Sequence, residues 1–283
     1  MKIFTTANEV SNFLEPLKTS TSSFGFVPTM GALHMGHVSL IKKACKENNI
    51  VIVSIYVNPT QFDKKNDLNK YPKNLKKDIN ILCSLNEDKV VLFTPDNKEI
   101  YGARTTKEKF SFGSVENKLE GKFRPGHFEG VATVVKKLLK IVRPDKAYFG
   151  EKDFQQLLII KKLVVAMGAR TLIVGCPIFR EPNGLAMSSR NSLLTKAELQ
   201  YASKIYNVLK IVKEKFKESS LEIIKKWVLN EFENDTLFKI EYFEITDSLS
   251  LEIATSVNNT KKYRAFISGY IRNVRLIDNI ALN

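Results

Sequence analysis

The chain holds three histidines, and two of them, His34 and His37, share the stretch "FGFVPTMGALHMGHVSLIKKA" (Phe24–Ala44). They are three residues apart, so both can point at one spot. An imidazole with an ordinary pKa near ~6.5 can act as a cationic donor without the bulk of lysine. Two such donors suit the negative charge that develops on a phosphate under attack. Gly31 and Gly36 let the backbone pass close to a ligand. The helix expected to open near His37 presents unpaired N–H groups and the positive end of its dipole, which attract phosphate. The competing readings are two surface histidines capping a turn, or a zinc pair. The zinc reading has only one further histidine to draw on and no H-E-x-x-H.

Three other segments offer complementary groups. In "VNPTQF" (Val57–Phe62) the amides of Asn58 and Gln61 both donate and accept, as the reading of hydroxyls and a carboxylate requires; the bland alternative is a plain Asn-Pro turn. "LEGKFRPGHFEGVATVV" (Leu119–Val135) precedes "YFGEKDFQQL" (Tyr148–Leu157), where Lys152 suits a phosphate and Asp153 a ribose hydroxyl. Gln156 lies one turn further on, and Lys152 and Asp153 could equally form a surface ion pair at a helix start. "AMSSRN" (Ala186–Asn191) places two hydroxyls and a guanidinium in one loop, either a polyphosphate clamp or a polar linker. No G-x-x-x-x-G-K-[ST] occurs, so a nucleotide site here is not a P-loop.

These segments need a frame. Helices are expected over residues 8–18, 37–48, 74–85, 127–142 and 153–167, and strands over 23–28, 50–57, 89–93, 146–149 and 171–175. "IVIVSIYV" is a β-branched apolar run of the kind that is buried on both faces. Strands alternating with helices imply a parallel, doubly wound sheet, whose ligands sit at the carboxyl ends of its strands. The segments singled out follow such ends or lie beside them. After residue 178 the pattern changes. "REPNGLAMSSRNSLLT" reads as an irregular loop, followed by long helices near 195–217 and 219–234 and strands near 239–247, 263–271 and 274–278. The expectation is therefore an α/β protein: a Rossmann-like domain over 1–177 and a smaller α+β domain over 178–283.

Composition narrows the class. Of 283 residues, 43% are hydrophobic and 26% charged, as in soluble globular chains. The formal net charge of +14 is mostly lysine spread along the chain, which reads as a solvated surface. No RNA-recognition signature with paired aromatics accompanies it, so no nucleic acid partner is expected. No apolar stretch approaches the ~20 residues of a membrane helix, and the start lacks a signal-peptide core, so a cytoplasmic protein is expected. Cys45, Cys83 and Cys176 are odd in number and far apart, and read as buried free thiols.

Together, "VPTMGALHMGH", "YVNPTQF", "DLNKYP", "LEGKFRPGHFEGV", "RPDKAYFGEKDFQQL", "REPNGLAMSSRNSLL" and "RLIDN" closely resemble, in order, the motifs of the pantoate–β-alanine ligases. That family lies within the HxGH nucleotidylyltransferase superfamily. The resemblance implies two steps: ATP and pantoate give pantoyl adenylate and pyrophosphate, and the β-alanine amine then displaces AMP. It implies Mg2+ with ATP, no prosthetic group, and a homodimer. By matching positions, His34, His37 and Lys152 would be catalytic. Pro28, Met30, Gly36, His37, Gly150, Lys152, Asp153, Phe179, Met187, Ser188, Ser189 and Arg190 would meet ATP. Gln61, Gln156, Met30 and Phe62 would hold pantoate, Asn58 would lie near β-alanine, and Asp78 would organise the metal through water. Arg124 falls in a segment that is often a mobile flap in the family. Lys73 stands where the family often has arginine, which keeps the charge but loses the bidentate fork.

Overall fold

The computed structural model describes residues 1–19, 21–63 and 65–283. Among them, parallel strands β1 (Lys2–Phe4), β2 (Phe24–Thr29), β3 (Ile50–Ile55), β4 (Val90–Phe93), β5 (Lys146–Gly150) and β6 (Leu172–Cys176) form one sheet in the order β1-β4-β3-β2-β5-β6. Helices α1 (Ala7–Leu14), α2 (Met35–Glu47), α3 (Lys65–Lys70), α4 (Leu75–Cys83), α5 (Asn97–Tyr101), α6 (Leu119–Phe123), α7 (His127–Val142) and α8 (Phe154–Ala166) accompany it.

Period-two alternation along the strands separates two apolar layers. Phe24, Phe26, Ile52, Phe93, Ala147 and Phe149 face the cluster that contains α1, α7 and α8 residues. Val27, Val51, Val53, Leu92 and Tyr148 face the opposite cluster with α2 and α4. Both faces are covered, so the α/β, doubly wound expectation holds.

The topology itself makes a cleft. The chain steps outward from β2 to β3 to β4, then crosses back to lay β5 on the other side of β2. Strands β2 and β5 pair only at Gly25–Lys146 and Phe26–Ala147. Beyond those residues β2 stays paired with β3 up to Thr29, and β5 with β6 up to Gly150. Their carboxyl ends thus diverge at the switch point, where ligands of such sheets bind.

The remaining chain adds α9 (Lys196–Ala202), α10 (Lys204–Lys215) and α11 (Leu221–Glu233), and an antiparallel sheet of β7 (Phe238–Asp247), β8 (Tyr263–Ile271) and β9 (Val274–Ala281). It has its own apolar cluster, which includes Leu209, Ile224, Phe243 and Ile267. Tyr242, Leu251 and Phe266 instead join the main core.

Several expectations need correction. The single helix expected over 195–217 is two helices that part at Ser203, whose Oγ donates back to the Gln200 carbonyl at 2.7 Å. The last strand runs on to Ala281, and β1 was not anticipated. Cys45 and Cys176 are buried thiols, but Cys83 is exposed at the end of α4.

Candidate active site

The histidine loop is pinned from behind. Where β2 ends, Thr29 Oγ1 donates to the Ser54 carbonyl (2.8 Å) and accepts from Gly31 N–H (3.2 Å). Asp78, almost wholly buried on α4, accepts from Ala32 N–H at 3.0 Å and from Leu33 N–H at 2.7 Å. Its two oxygens are thereby engaged in shaping the loop, and it lies outside the cleft lining.

His34 is the N-cap of α2. Its Nδ1 accepts from Gly36 N–H (3.1 Å), while His37 Nδ1 accepts from His34 N–H (3.3 Å). This is a capping box built from imidazoles, which satisfies two helix-end donors. The rings lie 4.0 Å apart, centroid to centroid. Gly36 lets the His34 ring lie this close, since a Cβ there would sit 2.8 Å from His34 Cε1 and force the ring to move. With each Nδ1 accepting, each ring carries its proton on Nε2, the atom left to donate. Burial, then Lys152, lowers the His34 pKa to about 4; burial, then His34 and Lys152, lowers that of His37 to about 3. The pair are therefore neutral N–H donors near pH 7, not the cations that their ordinary pKa suggested.

The Asn58 turn is held from inside. Asn58 Oδ1 accepts from Thr60 Oγ1 (3.0 Å) and Tyr101 OH (2.7 Å), and its Nδ2 donates to Gln61 Oε1 (3.1 Å) and the Gly130 carbonyl (3.2 Å). It lines the cleft, but both ends of its amide already have partners. Because Gln61 Oε1 accepts from Asn58, the Gln61 NH2 is free to donate. The third histidine, His127, also lines the cleft, and its Nδ1 lies 2.8 Å from the Gln61 carbonyl. Arg124 Nη1 sits 3.1 Å from His127 Nε2. Burial, reinforced by Arg124, lowers the His127 pKa to about 3, so Nε2 accepts from the guanidinium and Nδ1–H donates. His127 escaped the sequence reading, although "RPGHF" lay inside a segment already singled out.

On the opposite wall, Gly150 ends β5, and the turn Glu151–Asp153 leads into α8. Lys152, Asp153 and Gln156 face the same cleft. The loop after β6 closes the third side. Ser189 Oγ donates across to the Ala32 carbonyl (3.1 Å), and Arg190 Nη2 meets Asp67 at 2.9 Å. Pro28, Met30, Gly36, Phe62, Gly150, Phe179, Met187 and Ser188 complete a lining expected from the sequence, around a cleft of about 240 Å³. Apart from Asp78, every anticipated site residue lines it. Lys152, Arg124 and Arg190 supply positive charge, the His34 and His37 N–H groups neutral donors, and Gln61 and Gln156 amides. Among the described residues no three His, Cys, Asp or Glu side chains cluster closely enough to hold a metal ion.

Comparison with known proteins agrees with this chemistry. The model of the pantoate–beta-alanine ligase family matches residues 2–281. The pantothenate synthetase of Flavobacterium psychrophilum is 49% identical, with all of both chains covered. That of Azobacteroides pseudotrichonymphae is 45% identical over 99% of each chain. The crystal structure of the Thermus thermophilus pantothenate synthetase superposes with a TM-score of 0.90 at 34% identity, covering 100% of this chain and 99% of that one. A Francisella tularensis pantoate–beta-alanine ligase, solved with beta-gamma ATP and beta-alanine, gives 0.83 at 43% identity over 100% and 98%. The chain belongs to the pantoate–beta-alanine ligase family.

Proposed function

We propose that this cleft joins pantoate to β-alanine at the expense of ATP, through a pantoyl adenylate. The observation that carries the reading is the convergence of three kinds of group at the switch point. Two neutral imidazole N–H donors and Lys152 lie where an α-phosphate can sit, and the Gln61 and Gln156 amides line the same space. In the first step a pantoate carboxylate oxygen attacks the α-phosphorus, the bond to the bridging oxygen breaks, and pyrophosphate leaves. Charge grows on the non-bridging oxygens, and preformed donors that need no reorganisation stabilise it. Ser188, Ser189 and Arg190 hold the departing phosphates, and Asp153 with the Gly150 backbone meets the ribose.

In the second step the neutral amine of β-alanine attacks the acyl carbon, AMP leaves with the electrons of the acyl–oxygen bond, and the amine nitrogen gives up one proton to the departing phosphate or to water. Orientation of amine and adenylate, with water excluded, supplies most of the catalysis, and no enzyme nucleophile is needed. Exclusion falls to residues 178–283, which we read as a smaller domain beside 1–177. Its own apolar cluster and its contribution of Phe179 and Met187–Arg190 to the cleft support that division. Mg2+ enters with ATP as part of the substrate. A homodimer rests on the family resemblance, and a cytoplasmic location on the sequence expectation alone; among the described residues no helix is long and apolar enough to cross a membrane.

The test follows AMP with ATP, Mg2+, pantoate and β-alanine, each left out in turn. AMP that requires both acid and amine, and about one pyrophosphate per site with pantoate alone, is the expected result. AMP release independent of pantoate would overturn the substrate assignment.

A further inference from the structure

We propose that Asn279, on β9, is a positioning residue that sets the place of Lys152 across the cleft from the Ser188–Arg190 loop. The proposal rests on the reading of Lys152 as a phosphate-binding group. The turn that carries Lys152 has no side-chain cap of its own, and neither has the helix that follows it. Its support comes instead from more than a hundred residues away. Asn279 Nδ2 donates to the Glu151 carbonyl at 3.0 Å and to the Lys152 carbonyl at 2.9 Å. The amide is itself locked: it is 1% exposed, and its Oδ1 accepts from Arg264 Nη1. Arg264 in turn lies 3.4 Å from Glu151 and packs over the Phe154 ring.

The preceding residue does the same for the facing wall. Asp278 takes both arms of Arg180, at 2.6 and 3.0 Å, and Arg180 Nη1 also donates to the Gly184 carbonyl at 3.0 Å. Arg180 stands at the base of the loop that delivers Ser188 to Arg190. Two consecutive residues of one strand therefore hold the two segments assigned to phosphate, and β9 fixes the spacing between them. Catalytic groups displaced by about an ångström lose much of their effect, so this brace matters to rate.

Asn279→Asp isolates the point. The carboxylate keeps an acceptor for Arg264 but has no N–H for the two carbonyls. AMP formation is expected to fall at least tenfold in kcat, with the KM for β-alanine little changed and cooperative thermal unfolding retained. The decisive readout is a double-mutant cycle with Lys152→Ala. If Asn279 acts through Lys152, adding Asn279→Asp to Lys152→Ala costs little more. Should a carboxylate beside Asp278 prevent folding, Asn279→Ala enters the same cycle. Wild-type turnover in the Asn279 variant, or losses that simply add, would overturn the proposal. Wild-type turnover in Lys152→Ala alone would overturn the reading of Lys152 and the proposal with it. A damaged Lys152→Ala beside an unaffected Asn279 variant would overturn the proposal only.

Discussion

Arg275 grips Glu120 with both arms, Nη1 to Oε2 at 2.6 Å and Nη2 to Oε1 at 2.8 Å, tying β9 to α6 across 155 residues. Glu241 accepts from the same guanidinium at 2.5 Å, and Tyr242 OH donates to Glu120 at 2.7 Å. Burial alone would raise the Glu120 pKa, but the hydrogen bonds and charge of Arg275, with Arg124 and the Tyr242 hydroxyl, hold it at about 2. Removing one member of a buried pair strands the other, a loss of about 3–5 kcal/mol. Arg275→Ala should therefore destabilise the fold by about that amount, measured as a lower urea midpoint, whereas breaking an exposed pair such as Lys217–Glu214 should leave the midpoint almost unmoved. Because the Glu120 pKa is depressed in the folded chain, its contribution is complete above its ordinary 4.5 and is lost as pH falls towards about 2. Arg275→Ala should remove that part of the acid dependence. An unchanged acid profile would show that the pair does not control it.

The histidine pair makes an opposite pH argument. With pKa values of about 4 and about 3, His34 and His37 keep the same protonation throughout the ordinary range. Pyrophosphate release with pantoate, which does not involve the β-alanine amine, should show no imidazole limb between about pH 5 and 8. Cationic donors would instead lose rate as pH rises through about 6.5. His34→Ala or His37→Ala should cost about 10²–10³ in that step, read by single turnover, with the fold intact.

The ends of the parallel strands were legible because apolar β-branched runs and the turns after them are local signals, and topology then collects those turns in one crevice. Helix 127–142 was legible to the residue from its strong apolar periodicity; in the structure Gly126 and Arg143, both at positive φ, bracket it. What failed to show was tertiary. Nothing in "HMGH" says that both rings are desolvated and that backbone N–H groups assign their protons. Asp78 looks available for a cation until the loop 46 residues earlier folds onto it. Asn58 does line the cleft, but nothing in "VNPTQF" says that Tyr101 and Gly130 hold both ends of its amide. The three-residue β1 is too short to leave a pattern.

His127 carries a separable prediction. It connects Arg124 to the Gln61 carbonyl, so it governs the backbone from which the Gln61 amide projects. His127→Ala should raise the pantoate KM about tenfold, the order expected for about one lost hydrogen bond, and leave the ATP KM near its original value. Asparagine can supply an N–H to the same carbonyl, and His127→Asn should recover part of the loss. Equal rises in both KM values would mean that His127 serves the whole cleft.

Gly130 sits in the first turns of α7, where alanine would ordinarily gain about 1 kcal/mol of helix propensity. Here the sign should reverse. A Cβ at Gly130 would lie 2.3 Å from the Thr60 carbonyl oxygen and 2.8 Å from the Gln61 Cα, and both are backbone atoms that cannot rotate away. The helix must back off from the Asn58 turn, which stretches the bond from Asn58 Nδ2 to the Gly130 carbonyl and moves Gln61 with it. Overpacking of this kind costs about 1–3 kcal/mol, more than the propensity gain. Gly130→Ala should therefore lower the thermal midpoint and weaken pantoate binding together. A midpoint at or above the wild-type value would show that α7 is free to shift away from the turn, and the pantoate KM would then report how much of Gln61's placement depends on that contact.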